Sequence, residues 1–214
     1  MGKSKVINVG LLGCGVVGTG VVELFKENKN PNVTLKTIVV KDPKKQRKVK
    51  FQNIITDADK VLEDPEIDIV VELIGGYEPA KGYIINAIKN KKHVVTANKA
   101  VISEYGDEIF KLAEKNNVNV GFEAAVAGGI PIINPLLDQL SLGKITSIAG
   151  ILNGTTNFIL TRMAEGMKYE EALKIAQEKG FAESNPSFDV EGKDAAQKIA
   201  ILASLAFGRW IKPK

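Results

Sequence analysis

Glu183, Asp189, Asp194 and Lys198 lie close together near the end of the chain. Carboxylates in such a set suit an ammonium group or the orientation of a lysine. A lysine ammonium can pass a proton to an oxygen on which charge is growing. Asp194 and Lys198 are spaced i, i+4, so on a helix they share a face. The same spacing also describes an exposed ion pair worth a few tenths of a kcal/mol. The residues by themselves leave both readings open.

The partner for such chemistry is signalled at the other end of the chain. Residues 6–12 are a mostly apolar run, followed by Gly13-x-Gly15-x-x-Gly18 and then by the helix-like stretch at residues 21–25. Strand, tight glycine turn and helix together form the dinucleotide fingerprint. Gly13 can take a turn that a Cβ disfavours. Gly15 admits close approach of a pyrophosphate, and Gly18 lets the helix lie against the strand. The helix start offers free N–H groups and a partial positive charge. Gly13, Gly15, Val16, Val17 and Gly18 are therefore the candidate cofactor contacts.

Residues 33–40 read as a second strand, rich in β-branched types. In a dinucleotide fold the residue just past that strand distinguishes a ribose hydroxyl from a 2′-phosphate. Lys41 holds that position, with Lys44, Lys45, Arg47 and Lys48 beyond it. Cations there favour NADP over NAD. Asp42 argues the other way, and NAD stays possible.

These residues need a scaffold, and the chain alternates accordingly. Residues 68–73 form a nearly continuous apolar strand of the kind buried on both faces, and Gly75-Gly76 ends it where it could lie against a cofactor. A helix follows over residues 79–90, a strand over 93–97, a helix over 103–117 with Ser103 as its N-cap, and a strand over 118–122. The expected fold class is α/β: a doubly wound, parallel, Rossmann-type sheet with right-handed crossovers. Ligands bind beyond the carboxyl ends of its strands, which is where Thr96, Lys99 and Glu123 fall; Thr96 and Lys99 are expected cofactor contacts there. After residue 130 the pattern changes to a smaller α+β unit: a helix over 130–140, a strand over 144–152, a polar turn over 153–157, and helices over 158–166, 169–180 and 194–207. The expected domains are 1–130 for dinucleotide binding and 131–214 for substrate.

Composition narrows the class further. The chain has 214 residues, 44% hydrophobic and 25% charged, as expected of a soluble protein with a real core. A single cysteine, Cys14, excludes an internal disulfide framework and fits the reducing cytoplasm. Lysine and arginine number 29 against 25 acids, a net charge of +4, and most are scattered, so nucleic acid is not an expected partner. No apolar run is long enough for a membrane span. Lys3 and Lys5 precede an apolar run that reads as the first strand rather than as a signal peptide. His93, the only histidine, sits in a strand, where a core or surface role is expected.

Several blocks together resemble homoserine dehydrogenases: Thr96-Ala97-Asn98-Lys99, then Phe122-Glu123-Ala124-Ala125-Val126-Ala127-Gly128-Gly129-Ile130-Pro131, then Gly150-Ile151-Leu152-Asn153-Gly154-Thr155-Thr156-Asn157. The resemblance continues with Gly180-Phe181-Ala182-Glu183 and with Asp189-Val190-Glu191-Gly192-Lys193-Asp194-Ala195-Ala196-Gln197-Lys198. It implies reduction of aspartate semialdehyde to homoserine with NAD(P)H, on the route to threonine, methionine and isoleucine. It places the substrate-binding acids at Glu183 and Asp194 and the proton-transferring lysine at Lys198. Lys99 matches a second active-site lysine, Asp189 a residue orienting the network, and Gly180 a backbone contact to the cofactor.

The resemblance also implies a monovalent cation, sodium, on main-chain oxygens of Glu123, Val126, Gly128 and Ile130. From the residues alone, a Gly-Gly hinge is the simpler account of that stretch. A homodimer is implied as well. Family members continue well past Lys214, so the rest of the substrate domain and dimer interface is expected to lie outside this chain. Two other readings stay open: a different NAD(P)-dependent small-aldehyde reductase, and a nucleotide-binding or scaffold protein without turnover.

Overall fold

The structure is a computed structural model and describes residues 5–28, 30–140 and 142–213. The chain forms two compact units, Met1–Gly129 and Ile130–Lys214.

In the first unit the strands are β1 (Ile7–Leu12), β2 (Val33–Val39), β3 (Ile54–Ile55), β4 (Ile69–Glu72), β5 (His93–Thr96) and β6 (Val120–Gly121). Between them run the helices α1 (Val16–Glu27), α2 (Asp59–Leu62), α3 (Ala80–Lys89) and α4 (Lys99–Asn116). All the strand pairs are parallel, in the order β3-β2-β1-β4-β5-β6. This is the doubly wound α/β class. Successive strands build outward from β1 on one side and from β4 on the other, so the order reverses between β1 and β4. That gap is the crevice in which such sheets bind ligands.

Period-two alternation distributes the apolar side chains to both faces. Val9, Leu11, Leu35 and Ile38 pack with Val22 of α1 on one face. Leu12, Val39, Val70 and Val94 pack on the other with Ile84 and Ile88 of α3 and Val101 and Ile109 of α4. His93 has a structural place: its Nδ1 accepts from the Asn119 N–H at 3.0 Å, beside the β5–β6 pairing.

Helix α4 begins at Lys99, four residues before the start expected from Ser103. Asn98 caps it, accepting from the Val101 N–H at 3.2 Å, while Ser103 is fully buried inside the helix and donates to Ala100 O. Asparagine and serine are both strong N-caps, and here the asparagine nearer the strand holds the helix end.

At the amino edge of the sheet sits a charged network. Lys36 Nζ donates to Asp64 Oδ2 at 2.8 Å and to Glu66 Oε2 at 2.5 Å. Lys5 Nζ donates to Asp68 Oδ1 at 2.5 Å, and the Asn8 N–H to Asp68 Oδ2 at 2.9 Å. The Lys36 bond holds the Asp64 carboxyl below its ordinary range. Burial pushes Asp68 up, but the bonds from Lys5 and Asn8 outweigh it and leave Asp68 lowered too. Lys36 is raised by its two carboxylates. Buried Lys92 donates to the Asp64 and Ile67 carbonyls, and burial lowers its pKa.

The second unit contains α5 (Ile133–Leu140), α6 (Gly154–Ala164), α7 (Tyr169–Glu178), α8 (Ser187–Val190) and α9 (Lys193–Phe207). Ile159, Ala172, Ala176 and Ala182 form a small core linking α6 and α7. The strand expected over residues 144–152 does not form among the described residues. A strand needs a neighbour to take its backbone hydrogen bonds, and none pairs with it here. Helix α6 starts four residues earlier than expected, because Asn153 caps it and the polar 153–157 stretch becomes its first turn.

Candidate active site

The carboxyl edge of the first sheet is built around the turn after β1. Gly13 has φ +97°. A Cβ there would stand 2.8 Å from Leu73 O, and one on Gly18 would stand 2.3 Å from Gly13 O. Both positions therefore demand glycine for the turn to close. At Gly15 an added Cβ would meet nothing within 4 Å, so this glycine faces open space, where backbone can approach a ligand. No side chain caps α1 at Gly15, which leaves its first N–H groups to an anion. Val16 is 93% exposed and Val17 59% exposed, an apolar surface that a bound cofactor would cover. The cradle fits a pyrophosphate.

Lys41 is exposed just past β2. The loop beyond it is stapled from within: Arg47 Nη2 donates to Asp42 O and Nη1 to Lys45 O, both at 2.8 Å. Arg47 thus fixes the loop through backbone carbonyls and leaves the lysines facing water.

At the ends of β4 and β5, Glu72 and Thr96 are registered neighbours, and Leu12 of β1 lies opposite Glu72. Glu72 is fully buried. Its Oε1 accepts from the Ile74 and Gly75 N–H groups at 2.7 and 3.3 Å, and its Oε2 from Thr96 Oγ1 at 2.7 Å. Thr96 Oγ1 accepts from the Asn98 N–H at 2.9 Å, and Asn98 Nδ2 donates to Gly76 O at 2.8 Å. Lys99, half-buried, follows as the first residue of α4. Thr96 and Lys99 stand out in the sequence by their place past a strand, whereas Glu72 reads there as one more member of a strand.

In the second unit α6, α8 and α9 bring Asn153, Asp189, Asp194 and Lys198 together. Lys198 Nζ donates to Asp194 Oδ2 at 2.6 Å and to Leu152 O at 2.7 Å. Asn153 Nδ2 donates to Asp189 Oδ1 at 2.7 Å and to Asp194 Oδ2 at 2.8 Å. Its Oδ1 meanwhile accepts from the Thr156 N–H and hydroxyl at 2.8 and 2.9 Å. Asn153 is 6% and Asp194 5% exposed. The Asp194–Lys198 pair is therefore a largely buried, hydrogen-bonded pair rather than a solvated one. Asn153 escaped sequence reasoning, although an asparagine before Gly-Thr-Thr is a capping signal.

Glu183 is not drawn into this cluster. Its side chain is exposed, and its carbonyl accepts from Gln177 Nε2. Gly180, with φ +74°, terminates α7 in the left-handed conformation typical of a helix end. Thr155 Oγ1 donates to the adjacent Phe181 carbonyl at 2.6 Å, so the α6 start and this turn are tied. Glu123 begins a short 3₁₀ turn, Glu123–Ala125. Ala127 and Gly128 then both take left-handed φ near 60°, so the backbone curls where main-chain oxygens are implied as cation ligands. Ile130 opens the second unit. Among the described residues no cluster of His, Cys, Asp or Glu side chains could hold a metal, and no helix is long and apolar enough to cross a membrane.

A parallel doubly wound sheet with a glycine cradle at its switch point defines a protein with an NAD(P)-binding domain. The comparisons narrow the class: the chain belongs to the homoserine dehydrogenase family. The family model "Homoserine dehydrogenase, NAD binding domain" matches residues 13–123, and "Homoserine dehydrogenase" matches residues 131–214. A homoserine dehydrogenase of Synechocystis is 51% identical over 96% of this chain and 49% of its own length. The crystal structure of a homoserine dehydrogenase from Thiobacillus denitrificans superposes with a TM-score of 0.90 at 46% identity, over 95% of this chain and 49% of that one. A hyperthermophilic archaeal homoserine dehydrogenase in complex with NADPH matches with a TM-score of 0.81 at 29% identity, over 95% of this chain and 70% of that one. The chain spans about half the length of the curated relatives it matches.

Proposed function

We propose that this chain carries the cofactor-binding unit and the acid–base residues of an NADP-linked homoserine dehydrogenase. The reaction interconverts L-homoserine and L-aspartate 4-semialdehyde, in the biosynthesis of threonine, methionine and isoleucine. The observation that carries the reading is the buried Asp194–Lys198 pair, held by Asn153 and Asp189, in a chain whose first unit has a dinucleotide cradle. When bound, the nicotinamide supplies or takes the hydride.

The residues divide the remaining work. Lys198 Nζ gives a proton to the aldehyde oxygen during reduction, and takes it from the homoserine hydroxyl in reverse. Asp194 orients that amine directly, and Asp189 acts on the network through Asn153. Glu183, exposed and unengaged by the cluster, is available to the substrate ammonium. Lys99 is the second active-site lysine, and Gly180 offers backbone to the cofactor. Lys41 and its basic neighbours favour the 2′-phosphate. Sodium is held by main-chain oxygens of Glu123, Val126, Gly128 and Ile130. The working protein is a cytoplasmic homodimer.

NADP-dependent oxidation of L-homoserine is the test, run on this chain and on a chain extended over the rest of the family's length. Homoserine-dependent NADPH formation is expected with the extended chain at least. Binding of NADPH without turnover in either chain would overturn the catalytic part.

A further inference from the structure

We propose that Glu72 is a positioning residue for the nicotinamide half of the dinucleotide. The inference deepens the cofactor reading above and rests on it.

A carboxylate with no exposed surface at the end of an apolar strand is costly. The cost is offset here by three donors that converge on it. The Ile74 and Gly75 N–H groups come from the loop after β4, and the Thr96 hydroxyl from the end of β5. Thr96 in turn accepts from the Asn98 N–H, and Asn98 both caps α4 and donates to Gly76 O. One side chain therefore sets the loop at residues 73–76 and the turn at residues 96–98, immediately ahead of Lys99. Gly75 and Gly76 both sit at positive φ, +80° and +71°, so this loop does not hold its path through backbone preference alone.

The residue past β2 reads the adenosine ribose, which places the adenosine half over β2. The other half must then cross the switch point toward β4 and β5. Glu72 and Thr96 are the last residues of those two strands. Glu72 thus shapes the edge under the nicotinamide half and leaves the adenosine end alone.

The assay compares two ligands on this chain: NADPH, and adenosine 2′,5′-bisphosphate, which lacks the nicotinamide half. Glu72→Gln keeps the volume but removes the charge that all three donors share, so each bond to it loses its charge assistance and one must be reversed or given up. Glu72→Gln is expected to weaken NADPH by about tenfold, the effect of one lost hydrogen bond to a charged group, and to leave the bisphosphate within about twofold. Glu72→Asp keeps the charge but withdraws the carboxylate by one methylene from its three donors. It should show the same selectivity and carries the test if Glu72→Gln does not fold. A carboxylate that served only the stability of the sheet would weaken both ligands in proportion. That result, or NADPH affinity unchanged in a folded variant, overturns the proposal. If the wild-type chain binds neither ligand, the cofactor reading itself fails, and the proposal fails with it.

Discussion

Asp194 Oδ2 accepts from Lys198 Nζ at 2.6 Å and, with its other contact, from Asn153 Nδ2 at 2.8 Å. A single buried oxygen thus joins Lys198 to the residue that caps α6. Asn153→Ala would remove the cap, at a cost of about 1 kcal/mol, and would also take a donor from both Asp189 and Asp194. The second loss is the functional one. A substitution that only frayed α6 would lower thermal stability and leave the pH profile of homoserine oxidation in place. The expected outcome is a lower Tm together with a displaced pH profile. An unchanged profile would confine Asn153 to its capping role.

Lys198→Ala is expected to slow homoserine oxidation by about 10²–10⁴-fold, the usual contribution of general acid–base catalysis. NADPH affinity should hold, since the proposed role of Lys198 is toward the substrate oxygen and not the cofactor. Lys198→Arg should not rescue turnover, because a guanidinium keeps its proton and cannot serve as a base. If the exposed Glu183 carboxylate meets the substrate ammonium as proposed, the same measurement on Glu183→Gln should show a raised KM for homoserine with cofactor affinity preserved. Near-normal turnover in Lys198→Ala would move the role to Lys99.

The turn after β1 separates two kinds of glycine. Gly18→Ala forces a methyl to within 2.3 Å of Gly13 O, and backbone cannot yield as a flexible side chain can. A loss of about 1–3 kcal/mol in stability is expected from such overpacking, with cofactor binding lost as the turn shifts. Gly15→Ala meets open space and should melt as the wild type does. It should still bind NADPH more weakly, because the methyl occupies the approach of the pyrophosphate. Thermal melts paired with NADPH titrations decide the matter. A Gly15→Ala chain that binds normally would show that the ligand keeps away from this backbone.

Much of this arrangement was legible in the chain because it is local. The fingerprint glycines are a few positions apart, and the alternation of strands and helices implies a parallel sheet. Asp194 and Lys198 share a helix face by spacing alone. What escaped depends on distance along the chain. Glu72 and Thr96 meet only through the β4–β5 register, and nothing in either strand announces that pairing. Asn153 reaches Asp189 and Asp194 from another helix. The stretch at residues 144–152 has the β-branched character of a strand but not the neighbour that a strand requires. Composition shows the first property and is silent on the second.

Lys41→Ala should weaken NADPH by about tenfold and NADH far less, as the loss of one charge-assisted contact to the 2′-phosphate predicts. Arg47 supplies the control. Its Nη groups are engaged with Asp42 O and Lys45 O, so Arg47→Ala frees the loop rather than deleting a phosphate ligand. It should weaken NADPH less than Lys41→Ala does. Equal losses of NADH and NADPH in Lys41→Ala would argue against a 2′-phosphate contact.

The last expectation concerns acid. Asp64 and Asp68 have pKa values lowered in the folded state, Asp64 chiefly by the Lys36 bond and Asp68 by bonds from Lys5 and Asn8 that outweigh burial. A depressed carboxyl contributes stability that is present above the unfolded aspartate value and is lost as pH falls through the folded one. Lys36 is raised, so its share is complete below the ordinary lysine value and fades only at higher pH. Lys92 works in the opposite sense: burial lowers it, and folding gains as pH rises from its lowered value toward the ordinary lysine one. On the acid side the two aspartates therefore govern the slope. Asp64→Asn with Asp68→Asn should cost stability at about pH 7 and much less at about pH 3, so the gap between the two conditions narrows. Urea unfolding at both pH values measures that gap. A gap as wide as in the wild type would mean that other carboxylates set the acid sensitivity of this fold.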